Sequence, residues 1–208
     1  MTRTRNTSRA DMELFASKNK GLLVLIGLTL VGVLIGSALI GGMSSETVEL
    51  LSFMTDGFIK SRVEQSILST LSSSLFTSAL FLMITMLFGF SAISQPLIVF
   101  MPLFRGLGIG FSMGYLYSFY GLKGILICLV LILPNALLSS LTLVIGCREA
   151  MRLSAMFLKF AMGSPEQEAV RGAIRLYLGK FSILFAIAAV SSVIDAVLTF
   201  LFAGMLIK

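Results

Sequence analysis

The sequence predicts an all-α, polytopic integral membrane protein, a bundle of about five transmembrane helices with a cytoplasmic N-terminus. Of its 208 residues, 57% are hydrophobic and 12% are charged, and the mean hydropathy is +0.99. Water-soluble domains carry about a quarter charged residues, so this chain is too apolar to fold as a soluble globule. Its apolar residues also occur in runs of about 20, the length of a helix that crosses a membrane.

Two parts are predicted along the chain. Residues 1–20 form a basic cytoplasmic segment, and residues 21–208 form a single transmembrane domain. An outer loop at 44–74 and a cytoplasmic loop at 148–180 are each expected to carry an amphipathic helix. The predicted spans are 21–40, 75–94, 97–119, 124–146 and 181–207.

The first predicted span follows a segment that contains five Lys or Arg residues. A signal peptide would have a shorter apolar region and a small-residue cleavage site, and residues 41–44 show no A-x-A pattern. We therefore expect an uncleaved anchor. Within it, Gly32 and Gly36 lie four residues apart, a spacing that allows close contact between membrane helices.

The outer loop predicts an amphipathic helix that begins near Ser45, a suitable N-cap residue. Oppositely charged residues four positions apart support this helix. The helix either lies on the membrane surface, caps the bundle, or presents a docking surface to a partner. The candidate docking residues are Glu46, Glu49, Asp56, Phe58, Lys60 and Glu64.

An almost unbroken apolar stretch runs from residue 75 to residue 119. As a helix it would be about 68 Å long, against a hydrocarbon core of about 30 Å. The stretch must therefore cross the membrane twice. The turn is expected at Ser94, Gln95 and Pro96, where polar residues and a proline interrupt the apolar pattern.

The third span combines a charge with regularly spaced glycines. Arg105 is followed by Gly106, Gly110 and Gly114. Glycines at every fourth position form a smooth stripe on one helix face, so another helix can approach closely. Pro102 is expected to kink the helix, because proline lacks a backbone N–H. We expect the other spans to pack around this one.

The fourth span follows a short turn at residues 121–123, and Pro134 predicts a kink within it. A second basic region comes next, which either extends the fourth helix or lies along lipid headgroups. Gly163 predicts a helix stop, and Ser164 and Pro165 are typical of the start of a new helix.

The distribution of basic residues predicts the orientation. With five spans and a cytoplasmic N-terminus, eleven Lys or Arg residues fall in cytoplasmic segments and four in outer segments. Short cytoplasmic segments of membrane proteins are enriched in basic residues, so this topology is favoured. If the third segment were a re-entrant loop, the six basic residues at 148–180 would lie outside, which the same rule disfavours.

The composition excludes much catalytic chemistry. The chain has no histidine, which removes Ser-His-Asp triads and histidine metal sites. The string G-x-S-x-G at residues 110–114 would need a strand and a base to act as a nucleophile elbow, so helix packing is favoured. Cys128 and Cys147 lie too far apart along one helix to form a disulfide. We expect no enzymatic activity, cofactor, metal or nucleic-acid partner.

Two charges remain inside the predicted spans, Arg105 and Asp195. An isolated charge in a membrane helix costs about 2.5 to 3.5 kcal/mol on insertion scales, which favours a partner or a wet cavity. We predict that the two residues pair across the third and fifth spans. The pair either fixes the helix register in a closed bundle or lines a continuous polar cavity that serves transport.

Residues 88–138 combine four features in a fixed order along a quarter of the chain. These are a proline at the turn between spans, a basic residue with spaced glycines after it, a G-x-K-G turn at residues 121–124, and L-P-N with following leucines at 133–138. In this combination the stretch resembles the stage II sporulation protein M family of bacterial membrane proteins.

The resemblance implies a non-enzymatic role in endospore-forming bacteria. Proteins of this family act in the mother cell during engulfment, where they assemble with an amidase/endopeptidase and a lytic transglycosylase at the septal membrane. The expected partners are therefore the lipid bilayer and these two wall hydrolases, and homo-oligomerisation is left open. The alternatives are a transporter or channel, and a permease-like subunit that docks an ATPase through the basic region at 148–180.

Overall fold

The computed structural model describes residues 19–42, 67–163 and 167–206. Within these ranges the ordered elements are helices and no strand occurs, so the predicted all-α fold is confirmed. The outer-loop helix, with its six candidate docking residues, falls outside the described ranges. The elements are α1 (Lys20–Gly41), α2 (Ile67–Gly89), α3 (Gln95–Ile127), a π-helical turn (Cys128–Ile132), α4 (Leu133–Ala161) and α5 (Gln167–Leu206).

By length and composition, four of the described helical stretches can cross a membrane. They are Lys20–Gly41, Thr70–Gly89, Gln95–Ser118 and Val170–Leu201. A fifth crossing is added if the bent pair Gly121–Val130 and Leu133–Ala161 counts as one span. The helices are therefore those of a membrane protein with four to five candidate spans.

α2 begins at Ile67, before the predicted start of the second span at residue 75. Its serine-rich first half is helical, and a hydroxyl in this half bonds to the backbone of its own helix. Thr77 Oγ1, for example, donates to the Ser73 carbonyl at 2.9 Å. α2 ends at Gly89, and a short turn leads into α3, where Pro96 occupies the first helical turn.

α3 continues through Pro102 with helical backbone angles. Its one non-helical residue is Gly121, with φ of 54° and ψ of −129°, which falls at the predicted turn. A residue with a side chain rarely adopts such angles, so glycine is required at this break.

A bend of 51° separates Gly121–Val130 from Leu133–Ala161. The π-helical turn lies in this region, directly before Leu133 and Pro134. Proline has no N–H to donate, and its ring clashes with the carbonyl four residues earlier, so the helix widens and bends there. The kink predicted from Pro134 therefore has a structural counterpart at this point.

The second basic region extends α4 as far as Ala161, and Gly163 follows with φ of 86° at the predicted helix stop. α5 has 40 residues, a length of about 60 Å and about twice the thickness of the hydrocarbon core. An ion pair joins the two helices, because Lys180 Nζ donates to Glu149 Oε2 at 2.6 Å.

α2, α4 and α5 pack against one another, whereas α1 packs mainly against α3. The apolar core lies between the helices on the side of the α2–α3 turn and includes Leu25, Leu82, Ile98, Leu143, Cys147 and Phe181. Hydrogen bonds from α4 and α5 anchor this turn and the end of α2. Ser154 donates to the Ser91 carbonyl at 2.7 Å, and Tyr177 donates to the Met86 carbonyl at 3.0 Å.

Glycines make the contact between α1 and α3, and we call them the glycine seam: Gly32 and Gly36 on α1, and Gly106, Gly110 and Gly114 on α3. A Cβ atom added to Gly32 would lie 3.1 Å from the Gly106 Cα. One added to Gly110 would lie 2.7 Å from the Val33 carbonyl carbon. Glycine therefore permits an approach of the two backbones that larger residues would prevent.

Gly110→Ala is expected to separate α1 from α3, because the added methyl group meets the Val33 backbone. Overpacking of this kind costs about 1 to 3 kcal/mol, so the midpoint of thermal unfolding in detergent should fall. Gly108→Ala is the matched control on the same helix, since nothing lies within 4 Å of its added Cβ. Equal midpoints for the two variants would contradict a structural role for the seam.

Candidate functional site

A cavity of about 480 Å³ lies between α2, α3, α4 and α5, and we call it the Arg105 cavity. Hydroxyl groups from Thr70, Thr77 and Ser112 contribute to its wall, together with apolar side chains. Arg105 and Asp195, the two charges predicted inside spans, both line it. The fold thus brings together two residues that are 90 positions apart in the sequence.

Arg105 points from α3 into the cavity and contacts two other helices. Its Nη2 donates to Ser139 Oγ on α4 at 2.8 Å. Its Cζ lies 5.4 Å from the centroid of the Phe81 ring on α2, a distance at which a cation is attracted to an aromatic face. The guanidinium is therefore held in a defined position between α2 and α4.

Asp195 is fully enclosed on α5, with 0% of its surface exposed. Its negative charge lies near enough to act on Arg105. An enclosed carboxylate needs a compensating positive charge or hydrogen-bond donors, and Arg105 is the other charged residue in the described cavity lining. The direct pairing of the two residues stays a prediction, which the shared cavity supports.

Asn135 joins three helices at the cavity wall. Its Nδ2 donates to Ser74 Oγ on α2 at 3.1 Å, and its Oδ1 accepts from Ser191 Oγ on α5 at 2.8 Å. Sequence patterns marked Asn135 only as the residue after Pro134 and did not assign it to a site. The amide of Asn135 inside an apolar span could have predicted this role, because such groups usually form hydrogen bonds between helices.

The cavity and the apolar core divide the bundle along its length. The described cavity lining on α2 ends at Phe81, and the core begins at Leu82. On α3 the core contains Ile98, whereas the lining begins at Phe104. The cavity therefore occupies one half of the bundle, and packed side chains close it towards the α2–α3 turn.

The cavity opens on the side of the bundle between α2 and α3. Ser73 and Thr77 on α2 and Gly108 on α3 contribute to its lining and are exposed on the bundle surface. With a cytoplasmic N-terminus, as the basic residues predict, α2 begins at the outer side of the membrane. The cavity then lies in the outer half of the bundle, with Arg105 at its inner end.

The other predicted site residues lie apart from the cavity or outside the described ranges. The glycine seam occupies the face of α3 that meets α1. Ser112, within the G-x-S-x-G string, donates to the Gly108 carbonyl at 3.0 Å inside its own helix. Cys128 and Cys147 are buried free thiols. The candidate docking residues between Glu46 and Glu64 lie outside the described ranges.

These features define a helical membrane protein that has a charged, hydroxyl-bearing cavity in one half of its bundle. The family model described as stage II sporulation protein M matches residues 24–200. The chain belongs to this family, which confirms the resemblance seen at residues 88–138 and extends it over most of the chain. Membership indicates a role in sporulation, and the family is not a known enzyme family. Searches of curated proteins and of solved structures gave no match.

Asp195→Asn is expected to destabilise the bundle, because it removes a negative charge beside Arg105 while keeping the size of the side chain. Breaking a buried ion pair by removing one partner costs about 3 to 5 kcal/mol. Arg105→Gln should cost a similar amount, and the double variant should cost less than the sum, since no charge is then left without its partner. Chemical unfolding in micelles measures all three.

The control for this cycle is Glu149→Gln, which removes the partner of the half-exposed Lys180 and of the exposed Arg152. Pairs of this kind contribute about 0 to 1 kcal/mol, so this variant should lose much less stability than Asp195→Asn. Strictly additive losses in the double variant would rule out pairing between Arg105 and Asp195.

Proposed function

We propose that this protein is a non-enzymatic, multi-pass scaffold of the bacterial cell membrane that localises or assembles peptidoglycan hydrolases during engulfment in endospore formation. The observation that carries this proposal is the family match over residues 24–200. The partners are an amidase/endopeptidase and a lytic transglycosylase, and the site of action is the septal membrane of the mother cell.

The contacts between the helices support a scaffold role, because they hold the bundle together as one unit. The glycine seam holds α1 against α3, and the hydrogen bonds of Asn135 connect α2, α4 and α5. The outer loop is attached to this bundle at both ends, since Ile40 at the end of α1 is 2% exposed and Thr70 near the start of α2 is 5% exposed. A docking surface in that loop is therefore tethered on both sides to a connected bundle.

Charge reversal in the outer loop tests this proposal. The double variant Glu46→Lys with Glu49→Lys should reduce the recovery of both hydrolases several-fold when the tagged protein is isolated from membranes of sporulating cells, because oppositely charged contacts become repulsive. The control is Arg171→Glu with Arg175→Glu, which reverses two exposed charges at the opposite predicted face. Unchanged recovery from the outer-loop variant would refute docking there, and absence of hydrolases from the unaltered protein would refute the scaffold.

A transporter or permease-like subunit is the second candidate, and the Arg105 cavity is the observation that favours it. Arg105 and Asp195 line one cavity, as a charged pathway requires. The core residues Leu82 and Ile98 fill the half of the bundle at the α2–α3 turn. Transport would therefore require that half to open after the cavity half has closed.

Reconstitution into liposomes tests the second candidate. A scaffold should give no uptake of inorganic phosphate above that of empty liposomes, because packed side chains close the inner half. Protein-dependent uptake that is lost in Arg105→Gln, with Glu149→Gln as the control, would establish transport. Recovery of an ATPase with the purified protein would favour the permease-like form.

A further inference from the structure

The Arg105 cavity places hydroxyl-bearing residues at an opening between α2 and α3. Ser73 and Thr77 are exposed there. Thr77 Oγ1 donates to the Ser73 carbonyl, and the oxygen of such a hydroxyl can still accept a hydrogen bond from water. The cavity volume of about 480 Å³ is sufficient for several water molecules, each of which occupies about 30 Å³ in the liquid. Charged side chains inside membrane spans face polar partners or water-filled cavities, and Arg105 lines this space, which favours water over an acyl chain.

Hydroxyl groups on α2 lead from the start of the helix towards Arg105. Thr70, Ser73, Ser74 and Thr77 all line the cavity, and their spacing of three or four residues places them on one helix face. From Thr70 to Phe81, which lies beneath the guanidinium, the helix rises about 16 Å. That distance is about half of the hydrocarbon thickness of about 30 Å, and the hydroxyl residues cover about 10 Å of it, from Thr70 to Thr77.

The two charges at the inner end are not equally accessible. Asp195 has 0% of its surface exposed, whereas Arg105 is only partly buried. A molecule in the cavity therefore meets the guanidinium before the carboxylate. A cation would be repelled at this point, and an anion would be attracted.

The guanidinium also suits an oxyanion by its shape. Arginine carries five N–H donors in a planar fork, and the bond to Ser139 is made by one of its terminal nitrogens, so donors remain for a ligand oxygen. The fork matches the oxygen spacing of phosphate groups. Asp195 keeps the empty site close to neutral, which lowers the cost of holding Arg105 inside a span.

We propose that the Arg105 cavity is a water-filled vestibule, open towards the outer side of the membrane, whose inner end binds a phosphate-class oxyanion through Arg105. Thr70, Ser73 and Thr77 form its hydrated wall. Binding of this kind does not depend on the scaffold role, and it requires no passage through the closed inner half of the bundle.

Thiol labelling tests the vestibule. A charged, membrane-impermeant methanethiosulfonate added from the outer side should modify Thr77→Cys at least about tenfold faster than Phe76→Cys, because thiolates form in water and not in lipid. Phe76 is 67% exposed and adjacent in sequence but does not line the cavity. The unaltered protein gives the background rate of labelling, since its native thiols Cys128 and Cys147 are buried. Equal rates for the two variants would overturn the vestibule.

Slower thiol labelling in the presence of added anions tests whether the cavity binds an oxyanion. In phosphate-free detergent micelles, inorganic phosphate should slow modification of Thr77→Cys several-fold relative to chloride at equal ionic strength. Protection by added phosphatidylglycerol alone would identify a lipid headgroup as the source of the oxyanion, and protection by inorganic phosphate a soluble ligand.

Arg105→Lys in the Thr77→Cys background separates binding from folding, since it keeps the positive charge but loses the planar fork. Labelling without added anion should persist, which reports an intact vestibule, and protection should weaken. If neither phosphate nor phosphatidylglycerol protects Thr77→Cys, or if Arg105→Lys leaves protection unchanged, the oxyanion site is refuted.

Discussion

The bundle is arranged around the need to compensate a guanidinium inside an apolar helix. Arg105 would be costly in contact with lipid, and the fold places the Ser139 hydroxyl and the Phe81 ring against it, with Asp195 in the same cavity. These residues lie on α4, α2 and α5, so the surroundings of the guanidinium depend on the packing of three helices. The same arrangement leaves a cavity beside the apolar core, and Arg105 and Asp195 both line it.

Two faces of α3 make different contacts. Gly106, Gly110 and Gly114 form the face that meets α1, where backbones approach closely. Arg105 and Ser112 lie on the face that lines the cavity. Since four-residue spacing repeats on one side of a helix, the glycines and the charge can alternate along the sequence without interfering. The helix thus connects the peripheral α1 with the polar centre of the bundle.

A scaffold role and a ligand-binding cavity are compatible in this architecture. The seam and the Asn135 hydrogen bonds connect the helices that carry the outer loop, while the cavity opens in the same half of the bundle between α2 and α3. An occupant of the cavity would contact α2, the helix that follows the loop.

Composition and local backbone chemistry were sufficient to predict the fold class, the stop at Gly163 and the interruptions at Gly121 and Pro134. The same patterns identified Arg105 and Asp195 as charges that need compensation, and the glycines as a contact face. The packing of the helices was needed to show that α1 covers the seam, that Asn135 joins Ser74 to Ser191, and that the two charges share one cavity. Hydrogen bonds between helices and the closure of space between them depend on residues far apart in the chain, and local periodicity carries no information about such distances.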